Sequence, residues 1–309
     1  KTDAEWVPIP NVYLTPSETS SNNVYWVGGS YNNSQSVTNT VDKTNMATFS
    51  TAVIPGMPSA PNTNYNTGGT SGSTHGYFGG RYPGHKSSVS KLIYATDTMD
   101  ADNTNLSAPR GYVVGTNSAT AGYFCGGQKG PSSPAAVSIV DKITNSTDSL
   151  ARLPGCDMVN GAFYNMGACG NEEYGYIGGG GYPRQTSMCK LDYYTDTNAK
   201  TPTAFLTQQR TNFTSTSNST EGYWYAGYSY SAPVGGFTTS AVEKTTFATD
   251  TTASIPAKMS YSANFVNSNG NTTHAMVGGG YKAPGVPSSQ AYNSRMDKVT
   301  YASSTISNS

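Results

Sequence analysis

The sequence predicts an all-β fold, a six-bladed β-propeller in one domain spanning residues 1–309. Three observations carry that expectation. A glycine block recurs six times, as VYWVGG (24–29), GYFGGR (76–81), GYFCGG (122–127), GYIGGG (175–180), GYWYAG (222–227) and AMVGGG (275–280). A second marker, V-x-K or M-x-K, follows each block and ends in Lys43, Lys91, Lys142, Lys190, Lys244 and Lys298. Both markers keep a period of about fifty residues, a length that suits a four-stranded propeller blade. Propellers grow by adding blades around one axis, so a chain of 309 residues need not divide into two domains.

At the N-terminus, residues 4–10 (AEWVPIP) match the segments TAVIPG (51–56), LARLPG (150–155) and TASIPA (252–257), which end other repeats. The C-terminal MDKVTYASSTISNS stops before an Ile-Pro or Leu-Pro pair of its own. The expectation is that the first strand completes the last blade, closing the ring and removing both sheet edges.

Each repeat then reads as four strands. The first is weakly marked, as in RGYVVGT (110–116) and SANFVNS (262–268). The second is the glycine block, whose paired glycines signal a sharp bend or a close backbone approach. The third is the V-x-K segment. Alternation with period two puts its Val and Lys on one face and Leu92, Ile143 and Leu191 on the other. An acid at the middle position (Asp42, Asp141, Glu243, Asp297) faces away from the lysine. The repeat-locked lysines are expected between blades, their stems packed and their amines bonded to main-chain carbonyls or to an acid there. A T-D-T turn follows, with Asp97, Asp196 and Asp250 placed to bond their own backbone. The fourth strand is short and polar.

Composition narrows the function classes. Charged residues make up 12% and hydrophobic ones 35%, but 23 tyrosines argue against disorder. The formal net charge is zero and no basic stripe runs along the chain, so a nucleic-acid partner is not expected. No apolar run reaches membrane-spanning length and none resembles a signal peptide, so no membrane insertion is expected. A start at Lys1 rather than Met suggests a processed or partial product. Cys125, Cys156, Cys169 and Cys189 are too sparse for a disulfide scaffold, and Cys125 reads as a buried free thiol.

Nothing points to catalysis. The three histidines are His75, His85 and His274; His75 and His274 occupy equivalent strand-end positions and read as solvent-exposed. Metal ligation needs three or four convergent ligands. No GxSxG motif occurs, and no helix follows the glycine blocks to hold a phosphate. The sequence therefore predicts no catalytic residues, no metal and no cofactor.

The loops after the glycine blocks remain: SYNNS (30–34), RYPGHK (81–86), GYPRQ (181–185), YSYSAP (228–233) and YKAPG (281–285), with QKGPSSP (128–134) in the third repeat. In a propeller they emerge on one face. Tyr offers large contact area at low entropy cost, and aromatic faces beside polar groups suit sugars. The candidate ligand-binding residues are Tyr31, Arg81, Tyr82, His85, Tyr182, Arg184, Tyr228, Tyr230, Tyr281 and Lys282. The competing reading is that Tyr and Pro only stiffen hairpin loops.

The unit GYFGGRYPGHKSSVSKLIYATDT…LSAPRGYVVGTNS…GYFCGG resembles the kelch-like tandem repeats of structural proteins and tail fibres of marine and cyanobacterial phages. Residues 76–126 match that pattern nearly throughout, and the other repeats match it in outline. Arg110 and Arg210 fit its arginine position, while the first repeat has no such residue. The resemblance implies a non-enzymatic adhesion or receptor-binding module of a virion tail fibre, located in a virion or outside cells. Its partners would be a cell-surface glycan or receptor and other virion or matrix proteins. Two alternatives are a structural or docking component and a secreted propeller lectin.

Overall fold

The computed structural model describes residues 12–13, 23–31, 36–54, 67–82, 84–130, 136–181, 184–231, 235–281 and 295–308. The chain is all-β. Its described helical residues are two 3-10 turns, Pro154–Cys156 and Tyr301–Ser303.

Antiparallel sheets follow one another along the chain. After a short β1 (Val12–Tyr13), the first sheet holds β2 (Asn23–Tyr31), β3 (Ser36–Asn45) and β4 (Ser50–Val53). The second holds β5 (Gly68–Ser71), β6 (His75–Gly79), β7 (Lys86–Ile93) and β8 (Thr98–Arg110). The third holds β9 (Val114–Asn117), β10 (Ala121–Cys125), β11 (Val140–Thr144) and β12 (Ser149–Arg152). The fourth holds β13 (Gly167–Gly170), β14 (Tyr174–Gly178), β15 (Ser187–Asp192) and β16 (Thr197–Phe205). A small three-stranded sheet of β17 (Arg210–Thr211), β20 (Tyr228–Ser231) and β21 (Gly235–Thr238) accompanies the fifth, which is β18 (Thr214–Ser217), β19 (Glu221–Tyr225), β22 (Ala241–Thr246) and β23 (Thr251–Lys258). The sixth holds β24 (Asn267–Gly270), β25 (His274–Gly278), β26 (Met296–Thr300) and β27 (Thr305–Asn308).

Two expectations change here. Residues 4–10 lie outside the described residues, but the place assigned to them is taken: β27, from the C-terminal end, pairs with β26 as the fourth strand of the last sheet. The Ile-Pro signature misled because TISN fills a fourth-strand slot without it. The first strands of the third and sixth sheets start at Val114 and Asn267, several residues later than the sequence suggested. Tyr112 and Phe265 adopt left-handed backbone (φ 56 and 53), which breaks extended pairing just before them.

The first strands are built from small residues, and they touch in sequence: β5 against β9, β9 against β13, β13 against β18, β18 against β24. β1 touches β24 and pairs in parallel with β5. The approach is close enough that a Cβ on Gly115 would meet Gly69 O at 1.8 Å. Hydroxyl side chains tie neighbouring strands together, with Ser215 Oγ donating to Ala168 O (2.6 Å) and Ser268 Oγ to Ser215 O (3.0 Å). The first and last sheets also meet: Asn269 Nδ2 donates to Tyr25 O (3.2 Å), and Met276 packs with Val24 and Met46.

Between sheets the repeat lysines find their partners. Lys43, Lys91, Lys142 and Lys190 pair with Asp97, Asp148, Asp196 and Asp250 of the following sheet, at 2.8, 2.7, 2.7 and 2.9 Å. The same carboxylates accept the glycine-block hydroxyls of Tyr25 (2.7 Å), Tyr77, Tyr123 (2.8 Å) and Tyr176. The T-D-T aspartate therefore reaches across to the preceding sheet rather than into an Asx-turn. It can do so because it sits in left-handed backbone, φ 51 to 55 at these four positions, a region Asp tolerates better than most residues. Burial raises the Asp148 carboxyl, but the hydrogen bonds from Lys91 and Tyr77 and the Lys91 charge hold it below the usual range.

The fifth and sixth joints depart from this clasp. Ser304 (φ 50) takes the aspartate position of the last sheet, and Lys244 turns back to Glu221 of its own sheet at 2.6 Å. In the first sheet Phe49 (φ 55) stands at that position, with the Lys298 amine 3.9 Å from its ring centroid. Three joints also stack aromatic rings, Tyr25–Tyr94, Tyr123–Tyr193 and Tyr176–Phe247, and Tyr223–Tyr301 adds a fourth. Where the last sheet meets the first, Met276 and Met46 replace that pair.

Of the four acids beside the lysines, Asp141 and Glu243 face the other way into ion pairs that the sequence did not assign. Arg110 and Asp141 form a fully buried ion pair at 2.7 Å, and Arg210 and Glu243 another at 2.9 Å. Burial pulls the Arg110 guanidinium down while the Asp141 charge pulls it back. Asp297 has Ala263 where the arginine would be, and it accepts the Ser260 N–H and hydroxyl instead, both at 2.7 Å.

Candidate functional site

Topology places the loops after the glycine blocks at the same end of the sheets as the links from one sheet to the next. Backbone hydrogen bonds tie the two sets together. Arg81 N donates to Arg110 O (2.9 Å), Gly127 N to Phe163 O (3.0 Å), Gly181 N to Tyr164 O (2.9 Å), Gly227 N to Ala263 O (2.8 Å) and Tyr281 N to Asn264 O (2.8 Å). The glycine column serves this geometry. Gly80, Gly126, Gly179 and Gly279 have φ of 71, 61, 63 and 69, and Ala226 takes the same turn at φ 56. The chain thus leaves the second strand sharply and lands its loop on the neighbouring link.

The links form a collar of their own. Tyr112, Asn165, Asn212 and Phe265 occupy one repeat position, all in left-handed backbone. Asn212 N donates to Asn165 O (3.2 Å) and Phe265 N to Asn212 O (2.7 Å). Asn is common in this conformation; Tyr and Phe are not. A bulky residue held there marks a place where another requirement outweighs backbone preference.

On this scaffold lie two side-chain clusters. In the first, the Tyr82 ring meets His85 edge-on (centroids 5.4 Å) and lies 5.2 Å from Tyr112, which is 5.7 Å from Tyr164. Four rings from one loop and two successive links make a continuous aromatic run. Tyr82, His85, Tyr112 and Tyr164 are all half-buried. Burial lowers the His85 imidazole, so it is neutral at neutral pH. In the second cluster the Arg184 guanidinium lies over Tyr228 (4.5 Å to the centroid) and faces Tyr230 at 5.8 Å. Tyr230 is 54% exposed, and β20 carries both tyrosines.

Of the residues singled out from sequence, the structure thus brings together Tyr82 with His85, and Arg184 with Tyr228 and Tyr230. Arg81 and Tyr281 are anchored through their backbones on Arg110 and Asn264. Tyr31 ends β2, its side chain outside the described residues, and Tyr182 and Lys282 lie outside them altogether. Sequence reasoning missed Tyr112 and Tyr164 because it searched only the loops after glycine blocks. Their signal was an aromatic in the link segments RGYVV, read as strand, and FYNM.

The histidine reading changes, whereas Cys125 is the buried free thiol expected. His75 is buried, 9% exposed, its Nε2 2.7 Å from the Tyr77 hydroxyl and its Nδ1 2.7 Å from Thr74 Oγ1, not at a solvent-exposed strand end. His274, at the equivalent position, is half-buried. All four cysteines are free and buried, and burial pushes the Cys189 thiol up to about 12. Among the described residues no three His, Cys, Asp or Glu side chains cluster as metal ligands would, and no helix is long and apolar enough to cross a membrane.

No protein-family model matches the chain, and the search of curated proteins finds no match.

Proposed function

We propose that the chain is a six-bladed, kelch-like propeller acting as a non-enzymatic adhesion module that binds surface carbohydrate through its loop face. The ring is supported by the unbroken sequence of contacts from β5 to β24, by β1 lying against both ends of that series, and by the packing of Met276 on Val24 and Met46. The resemblance to phage virion repeats supports a place in a tail fibre, with a host-cell glycan or receptor as partner.

The aromatic run carries the reading. Tyr82, His85, Tyr112 and Tyr164 line up across neighbouring links, and Tyr112 keeps its place there despite an unfavourable backbone. Flat rings at fixed spacing offer stacking platforms for the apolar faces of pyranose rings, and half-exposed hydroxyls beside them supply hydrogen bonds. The test is binding of the intact chain and its Tyr82→Ala and Tyr112→Ala variants to host cells and a glycan panel. Truncating a central aromatic anchor costs about 1–2 kcal/mol or more, so each variant is expected to bind roughly tenfold more weakly with its melting temperature close to that of the parent. Unchanged binding by folded variants would remove this face from the function. A parent protein that binds neither cells nor glycans would favour the structural or docking reading.

A further inference from the structure

The net charge of zero hides a separation along the strands. The hairpin turns opposite the loop face hold Asp97, Asp148, Glu172, Glu173, Asp196 and Asp250. Among the described loops and links of the loop face the only carboxylate is Asp157, and Arg152 pairs with it at 2.9 Å. That same face carries Arg81, Lys86, Lys129, Arg184 and Arg295. Four of the repeat lysines pair with the turn aspartates at the far end of the sheets and offset their charge there. A ligand arriving at the loop face therefore meets cations and aromatic rings together.

We propose that the loop face takes an acidic glycan, with Arg184 binding the carboxylate of a uronic-type sugar while Tyr230 stacks against the ring that bears it. This rests on the carbohydrate reading above and adds the ligand class and a subsite. The Arg184 guanidinium lies 4.5 Å from the Tyr228 ring centroid, and the planar fork of an arginine suits a carboxylate. Tyr230, 54% exposed and 5.8 Å from the same guanidinium, is placed for the sugar. The cations are spread over several sheets rather than drawn into a stripe. That distribution fits a polymer with repeated, widely spaced carboxylates, whose weak subsites add through avidity, better than the dense charge of a nucleic-acid backbone.

The experiment measures binding of the intact chain to immobilised alginate, a polyuronate, against neutral dextran, with oligo-dT and polyglutamate as polyanions without sugar-ring carboxylates. The parent is expected to prefer alginate to dextran by at least tenfold and to lose affinity as salt rises. Arg184→Gln is expected to lose at least tenfold on alginate, Arg184→Lys less, and Tyr230→Ala an amount similar to Arg184→Gln, all with unchanged melting temperature. Dextran bound as well as alginate, or Arg184→Gln without effect, would overturn the acidic subsite. The broader carbohydrate reading would still stand if Tyr82→Ala weakened that binding. Oligo-dT or polyglutamate bound as tightly as alginate would also overturn it, since charge alone would then suffice. No binding to alginate overturns the acidic ligand class, and the wider glycan panel decides the rest.

Discussion

Removing one aspartate from an inter-sheet clasp should loosen the joint it spans. Asp148 takes two bonds from Lys91 Nζ, at 2.9 and 2.7 Å, and a third from the buried Tyr77 hydroxyl. Its side chain is 30% exposed and that of Lys91 18%, so the ion pair lies between the surface and buried extremes; about 1 kcal/mol is a fair figure for the Coulomb part. Losing the Tyr77 acceptor adds about 1 kcal/mol. Ala at φ 55 costs about 1 kcal/mol more, because it has the same Cβ crowding without the short polar side chain that lets Asp tolerate this backbone. Asp148→Ala should therefore destabilise by about 3 kcal/mol, roughly 5–10 °C in melting temperature for a chain of this size. Asp148→Asn, which keeps an acceptor and tolerates the backbone, should lose only about 1 kcal/mol. The assay is thermal or urea unfolding, completed as a double-mutant cycle with Lys91→Met. A coupling of about 1 kcal/mol is expected, and additivity within about 0.3–0.5 kcal/mol would refute the clasp.

The joint between the last and first sheets should accept the same chemistry. A Met276→Tyr/Phe49→Asp double variant places hydroxyl, carboxylate and Lys298 together, and it should melt higher than either single variant; a double variant no better than Phe49→Asp alone would count against the equivalence of the positions. The buried ion pairs should be costly to break one-sidedly: Arg110→Ala, which leaves Asp141 charged in the interior, is expected to lose about 3–5 kcal/mol in urea unfolding, and Arg110→Met/Asp141→Leu markedly less. His75 gives a pH dependence. Burial, and then the Lys91 charge, lower its folded pKa, so the unfolded chain binds the proton more readily and stability falls as pH drops below about 6.5. Asp42 opposes this, since burial raises its carboxyl to about 6 and its protonated form favours the fold; that contribution is present below the unfolded value of 3.8 and lost as pH rises through about 6. His75→Gln should flatten the His75 part of the profile, and Asp42→Asn should be at least as stable as the parent at pH 8, both read from melts between pH 4 and 8.

The strands and their sequence were legible because their signals are local. A glycine column that needs left-handed backbone and a V-x-K alternation both repeat within the span of a single sheet. The lysines' burial between sheets followed from that alternation, and four of the six found the expected acid. Their exact partners did not follow, because Asp97 and Lys43 are 54 residues apart and only the stacking of sheets brings them together. Arg110 and Asp141 were each visible, but nothing local says that a residue before one sheet's first strand should reach that sheet's third. The loop face was read by composition, which found Tyr82, Arg184, Tyr228 and Tyr230. Tyr112 escaped because a left-handed residue between two extended segments leaves no mark on hydrophobic periodicity, and Tyr164 because it sits beside the left-handed Asn165 in the next link.

Phe49 and Met276 give the two ends of the array a private interface. If the last sheet mated with the second instead of the first, Met276 would lie where Tyr25 now bonds Asp97, leaving that carboxylate without its hydroxyl donor. If the fifth sheet mated with the first, the Tyr223 hydroxyl would face Phe49 and lose its Ser304 partner. Either error removes a hydrogen bond that the native pairing keeps, although the Tyr223 hydroxyl retains Glu221 of its own sheet. The contact between the last and first sheets is thereby chemically distinct from the clasps that join sheets adjacent in the chain.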